Sequence, residues 1–278
     1  MPTSAAFHRL EEADLPGALA LSAEAGWNQV AEDWRLFLRH GAVHGLRGAD
    51  GGWQATGAVL PYGSFGWISM VLVTEAARGR GLGTAVLREA MAALEAAGQV
   101  AFLDATPAGE RIYRPLGFRP VFPLMRWRGE GQGGTDLPGG LRLVEPADLP
   151  ALVALDAAAF GVARPDILAD LWRRTPEAAL MLADGSGFIL ARPGRQALQL
   201  GPMVAANEAA AAGLLGAALG RARGPVLLDL PRRWFCLATL LAKAGFREER
   251  PYLRMALGRE TGFGDDARLF LIAGPELG

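Results

Sequence analysis

Between residues 78 and 84 the chain reads Arg-Gly-Arg-Gly-Leu-Gly-Thr, three glycines and two arginines set between an apolar run and a long alanine-rich segment. Where a strand gives way to a helix through such a turn, several backbone N–H groups point outward together. The helix dipole adds positive potential at the same place. Glycine is needed because a Cβ would crowd an approaching anion or forbid the positive φ of the turn, and Arg78 and Arg80 add charge at the rim. The chemistry this suits is the grip of a phosphate or diphosphate. Spacing removes two kinds of phosphate loop: no lysine follows Gly83, as a Gly-x-x-x-x-Gly-Lys-Ser/Thr loop requires, and the third glycine of a dinucleotide fingerprint begun at Gly79 falls on Thr84.

Such a turn works only if a strand and a helix hold it. Residues 66–73, Gly-Trp-Ile-Ser-Met-Val-Leu-Val, form an apolar, β-branched stretch that reads as a strand. Residues 83–98 follow as a helix, with Val86, Leu87, Ala90, Met91 and Leu94 on one face and Gly98 as its stop. Residues 100–105 are a second strand, a short helix is expected around Gly109 to Arg114, and a last strand from Phe118 to about Trp127. Strand, turn, helix and strand in that order make a parallel crossover, so the fold class is α/β, a mixed sheet flanked by helices.

The chain repeats itself. Arg9-Leu-Glu-Glu-Ala-Asp-Leu-Pro16 returns as Arg142-Leu-Val-Glu-Pro-Ala-Asp-Leu-Pro150, and "GFRPVFPLMR" (117–126) returns as "GFREERPYLR" (245–254). Two echoes in the same order indicate duplication. Six glycines in residues 129–140 read as a linker, which divides the chain into 1–128, the linker 129–140, and 141–278. The second copy is degenerate: alanines and Glu208 stand where the glycine turn would recur in 202–219, and Leu241 stands where the first copy has Tyr113.

Composition bounds the rest. With 278 residues, 51% hydrophobic, 21% charged and a net charge of −1, the chain reads as a soluble globular protein, not one built to coat nucleic acid or a membrane. Cys236 is the sole cysteine, which excludes an internal disulfide, and its place in an apolar helical stretch reads as core packing. His8, His40 and His44 fit no metal-ligand spacing, so no metal is expected. With no leader-like start and no run of 18 apolar residues, a cytoplasmic protein, monomer or homodimer, is expected.

The run Arg78-Gly79-Arg80-Gly81-Leu82-Gly83 fits Gln/Arg-x-x-Gly-x-Gly/Ala, and "RIYRPLGFRPV" further on carries Tyr-x-x-x-Gly-Phe. On these motifs most of residues 7–127 resembles the GNAT superfamily of acyl-CoA N-acyltransferases. The whole chain, with "GWNQVAEDW" and the ending "FLIAGPELG", is similar to its tandem subgroup. The resemblance implies tandem GNAT-like mixed sheets with the second copy degenerate, and acetyl-CoA as acyl donor. In that superfamily the fourth and fifth strands part, here 67–73 and 100–105, and the pantetheine arm lies between them like an added strand. Main-chain groups of Met70, Val71 and Val73 would meet the pantetheine, and Arg78, Gly79, Arg80, Gly81, Leu82, Gly83 and Thr84 would surround the pyrophosphate.

Acyl transfer from a thioester to an amine needs a neutral amine, stabilisation of the oxyanion and a proton for the departing thiolate. An alkyl ammonium of pKa ~10 is neutral only about one part in a thousand at pH 7. By the resemblance Tyr113, four residues before Gly117, is the acid. The fourth strand lacks the Glu or Asp that some relatives place there. Asp104 then takes the proton directly or through water, binds the substrate ammonium, or is simply a helix cap or turn acceptor for Asp-Ala-Thr-Pro-Ala-Gly. Trp27, Asn28, Gln29 and Asp33, with Glu32, fall in the segment that walls the acceptor pocket, although a helix-ending turn at Gly26 also accounts for the first three. Asp265, Asp266 and Arg268 either reach that pocket or form a solvated cluster. The function implied is N-acetylation of a small-molecule amine by direct attack in a ternary complex. A non-catalytic acyl-CoA sensor and a protein or peptide N-acetyltransferase are the competing readings.

Overall fold

The computed structural model describes residues 6–278, which divide into two compact units: one ends at Leu103, the other is Asp104–Gly278. The first unit contains β1 (His8–Arg9), α1 (Leu15–Glu24), α2 (Ala31–His40), β2 (Ala42–Arg47), β3 (Trp53–Tyr62), β4 (Phe65–Val73), α3 (Leu82–Ala96) and the start of β5 (Val100–Ala105). Its strands lie in the order β1-β2-β3-β4-β5. The first four are antiparallel, and β4 and β5 are parallel, as the crossover through α3 requires. Val86 of α3 packs with Leu46 and Ala55, and Val71, Val73 and Leu82 close in around them. This small cluster fixes α3 against the strand that precedes it.

The second unit contains α4 (Pro107–Tyr113), β6 (Phe118–Gln132), β7 (Leu141–Leu143), α5 (Leu149–Phe160), α6 (Pro165–Arg174), β8 (Leu180–Leu182), β9 (Gly187–Arg192), β10 (Leu198–Ala205), α7 (Glu208–Arg221), β11 (Arg223–Pro231), α8 (Phe235–Lys243), β12 (Arg247–Leu257) and β13 (Leu269–Leu271). Its sheet runs β12-β6-β11-β10-β9-β8-β7, with β13 paired to β10. From β7 to β11 it repeats the plan of β1 to β5, including a parallel pair, β10 and β11, joined by a helix. The sequence echo is visible as shared local chemistry. Asp14 accepts the Glu11 N–H at 2.9 Å, and Asp148 accepts the Glu145 N–H at 2.8 Å, each just before a Leu-Pro helix start.

The expected boundaries need correction. The division of the chain falls within β5, and Gly129–Gln132 is no linker: β6 runs through it, paired residue by residue with Arg223–Val226 of β11. These glycines serve close approach. A Cβ on Gly129 would meet the Phe246 ring at 2.4 Å, and one on Gly131 would meet the Ala222 carbonyl oxygen at 2.2 Å. Only residues 133–140 form the connection to β7. Because β6 is hydrogen-bonded on one edge to β11 and on the other to β12, it belongs with the second unit despite carrying the first copy's motif.

Candidate active site

The glycine turn has the conformation its sequence calls for. Gly79 and Gly81 have φ of +76° and +79°, and nothing lies within 4 Å of where a Cβ would stand on either, so backbone shape rather than crowding demands glycine here. Gly81 is the N-cap of α3 in the left-handed region, and no side chain caps the helix. The first-turn N–H groups of any helix lack intrahelical partners. In α3 they are left facing an exposed turn, with Arg78 and Arg80 also exposed beside them. Leu82, Gly83 and Thr84, the first residues of the helix, are half-buried.

The strand leading into the turn is distorted. Met70 is a non-glycine residue at φ +52°, fully buried, and the β3–β4 register slips between Thr56 and Ala58 so that Gly57 faces an extra residue. The Thr56 hydroxyl donates to the Met70 carbonyl oxygen at 3.0 Å and holds the bulge. Positive φ at an unbranched side chain is a sparsely populated conformation, and such strain collects at functional sites. Next to it β4 and β5 stop pairing. Phe65, Gly66 and Trp67 face Val100, Ala101 and Phe102, and no further β4–β5 pair forms among the described residues. Met70, Val71 and Val73 follow on the part of β4 that this parting releases.

Ser69, beside the bulge, was not singled out from the sequence. Its hydroxyl is buried and has no hydrogen-bond partner among the described residues. The one available signal was a lone hydroxyl inside an otherwise apolar strand. A second such atom is the side-chain carbonyl oxygen Oε1 of Gln29, in the α1–α2 connection. Both explanations of Trp27, Asn28 and Gln29 have a basis. Gly26, at φ +70°, ends α1 with its N–H on Ala23 O and the Trp27 N–H on Ser22 O, and this turn sends Asn28 and Gln29 into the interior, each 7% exposed. Asp33 is buried as well, but its Oδ2 accepts the Val30 N–H at 2.9 Å, capping α2. Glu32 is on the surface, paired with Arg35.

Tyr113 ends α4 in the second unit. Thr106 caps this helix by accepting the Gly109 N–H at 3.2 Å, and the Tyr113 ring lies over Gly109 and against Phe118, with 5.9 Å between ring centroids. Its hydroxyl has no hydrogen-bond partner among the described residues, and burial pushes its pKa up to about 12.

Asp104 has a different place from the one expected of a base. Its two oxygens accept from Nε and Nη2 of Arg254, both at 2.9 Å, with the Asp104 side chain fully buried and Arg254 at 5% exposure. Burial pushes its carboxyl up, against the pull of the Arg254 guanidinium. With both oxygens committed to a planar guanidinium it is a structural brace, and the expectation of a proton acceptor is corrected on that ground. Cys236 is also corrected: it is exposed, and its thiol donates to the Glu208 carboxylate, which holds the thiol pKa up and removes it as a nucleophile.

The second copy differs at each matching point. The Asn207 side chain caps α7 by accepting the Ala210 N–H at 3.0 Å, so a side chain already sits where an anion would bind. Leu241 is buried in the core. The opening between β10 and β11, whose pairing ends at Leu200 and Leu228, is filled by the chain itself: β13 pairs with Met203 and Val204, and the Ile272 N–H donates to Asp229 O on β11. The tail is anchored there by Arg192 to Glu276, and by Arg164 Nη1 to Leu277 O and Gly278 O. Upstream of it Asp265 and Arg268 form a half-exposed pair and Asp266 faces Arg233, as a solvated cluster would.

Comparison with known proteins finds a match in each copy. Residues 19–118 match the family model described as "Acetyltransferase (GNAT) family", and residues 152–271 match a second, "Acetyltransferase (GNAT) domain". A Bacillus subtilis protein described as an uncharacterized N-acetyltransferase, YitH, is 25% identical over 247 residues, 87% of each chain. The crystal structure of a proposed acetyltransferase from Pyrococcus horikoshii superposes with a TM-score of 0.80 at 21% identity, covering 99% of this chain and 97% of that one. A tandem GNAT protein from the clavulanic acid biosynthesis pathway gives 0.64 at 16% identity, covering 90% and 97%.

Proposed function

Because the chain belongs to the GNAT family of acetyltransferases, with two of its domains in tandem, we propose that it moves the acetyl group of acetyl-CoA to the amine of a small molecule by direct attack in a ternary complex. One observation carries the reading. The first copy presents an uncapped helix N-terminus behind a left-handed Gly81, next to a strained bulge, whereas the second copy caps the corresponding helix with its own Asn207. A diphosphate satisfies the first-turn amides of α3 and draws on Arg78 and Arg80. The released edge of β4, from Met70 to Val73, offers main-chain groups to an amide-bearing arm.

In this reading the bound thioester supplies an acyl carbon open to attack, and the chain supplies position and hydrogen bonds. The amine must reach that carbon uncharged. With Asp104 braced, the ammonium gives its proton to water before attack, and the second proton, lost as the C–N bond forms and the C–S bond breaks, passes through water to the departing thiolate; the oxygens of Ser69 and Gln29, unpartnered among the described residues, are the hydrogen-bond acceptors we assign to the incoming amine. At pH 7 Tyr113 is a neutral phenol and stays one. Its pKa of about 12 lies above the ~8.5 of an ordinary thiol, so its part is a hydrogen bond to the departing sulfur rather than full proton transfer.

The test is calorimetry with acetyl-CoA followed by an acceptor screen of amines and amino acids that monitors thiol release. One equivalent of acetyl-CoA per chain and turnover with at least one small amine are expected. Binding of two equivalents, or turnover with peptides alone, would overturn the reading.

A further inference from the structure

Beneath the start of α8 lies a cavity of about 250 Å³ that shares no residue with the turn, the bulge or Tyr113. Its walls are apolar: Met125 and Trp127 of β6, Leu230 of β11, and Phe235 and Ala238 of α8. Register explains the floor. Met125 faces Leu230 across the β6–β11 pair and Trp127 faces Leu228, so these side chains share one side of the sheet while Arg126 and Asp229 turn to the other.

Two features distinguish this cavity from a packing defect. Phe235, at the mouth, is 77% exposed, the most exposed of the large apolar side chains described. The remaining lining residues are Arg232 and Glu248, one of each charge, 3.6 Å apart and half-exposed. An ion pair that open contributes little by itself, so both groups can turn to other partners. Glu248 is opposite Trp127 in the β6–β12 pairing, which sets its carboxylate on the cavity's side of the sheet.

We propose that this cavity binds a free α-amino acid with an apolar or aromatic side chain. The side chain fills the space between Phe235, Met125, Leu230 and Ala238. The α-carboxylate pairs with Arg232 and the α-ammonium with Glu248. A zwitterion meets both charges favourably, whereas a ligand of single charge is repelled by one of them. The volume suits one residue and not a peptide.

Calorimetric titration of the full chain with L-phenylalanine and L-leucine tests this, against 3-phenylpropionate, which lacks the ammonium, and phenethylamine, which lacks the carboxylate. Saturable one-to-one binding is expected, weakened about tenfold or more when either charged group is missing. Arg232→Ala, on the surface, should weaken it similarly, and Ala238→Phe, which fills the cavity, should abolish it. Phenylalanine binding that persists unchanged in both variants would place the ligand elsewhere, in the acceptor site included, and overturn the proposal. So would the absence of saturable binding up to about 10 mM. Concentration-dependent dimerisation lost in Phe235→Ser, without amino-acid binding, would give this face to a second copy of the chain and likewise overturn it.

Discussion

Arg254 and Asp104 lie 150 positions apart and meet through two hydrogen bonds of 2.9 Å. The arrangement is reciprocal. Asp229 occupies the position in β11 that Asp104 occupies in β5, and Arg126 ends the first Gly-Phe-Arg stretch as Arg254 ends the second. Arg126 and Asp229 are joined by the same two-pronged contact at 2.8 Å. The arginine closing each copy thus clasps the aspartate of the other, and Gln199 adds a third hydrogen bond at Asp229.

If Asp104 is a brace, Asp104→Leu takes from a buried guanidinium the carboxylate that accepts two of its hydrogen bonds and costs roughly 3–5 kcal/mol. Combining it with Arg254→Met recovers part of the loss. Denaturant unfolding measures both, and turnover of the folded fraction should stay within about threefold of the parent. A variant of unchanged stability that had lost its turnover would restore Asp104 as the base.

Tyr113→Phe removes only a hydroxyl from a ring packed on Phe118. We expect kcat to fall about a hundredfold or more while the Kd for acetyl-CoA, measured separately, changes less than about twofold. Loss of binding in proportion to kcat would reduce Tyr113 to a packing residue.

Gly81→Ala tests the turn. The methyl meets no neighbour, so the cost is the left-handed backbone alone, about 1–2 kcal/mol. Relaxing that strain turns the α3 amides away, and acetyl-CoA affinity should fall about tenfold. Gly216→Ala is the control: Gly216 lies within α7 with open space around it. It should stabilise by up to about 1 kcal/mol and leave binding as it was.

Alkaline pH gives a further check. Burial holds Tyr113 and Tyr252 at about 12 in the folded chain, above the ordinary value near ~10. Between those values the unfolded chain has released protons that the folded chain keeps. Their contribution to stability is therefore complete below pH ~10 and lost as pH rises through ~12, on the order of 1.4 kcal/mol per pH unit for each tyrosine. Urea midpoints from pH 9 to 11.5 follow this directly. Turnover should show no descending limb from Tyr113 below about pH 11.

The turn, the crossover and the short helix of Tyr113 were legible in the sequence because their signals are local: glycine at positive φ, an apolar strand run, a Thr-Pro helix start. What escaped depended on residues far apart. No property of Asp104 names Arg254 as its partner, and Gly129 and Gly131 read as flexible until Phe246 and Ala222 are seen pressed against them. Ser69 is conspicuous only once its buried hydroxyl is seen to have no hydrogen-bond partner among the described residues. The three residues of β13 have no strand pattern of their own and are extended because β10 offers them an edge.

The path of β6 bears on anyone who would take this protein apart. A cut at residue 129, where the sequence invites one, leaves Gly129–Gln132 with their partners Arg223–Val226 but puts the rest of that strand, Phe118–Arg128, on the wrong side of the scissors from both neighbours. Fragments made there would each display raw sheet edges and stick to whatever they met. The first copy is a unit of ancestry that has ceased to be a unit of stability.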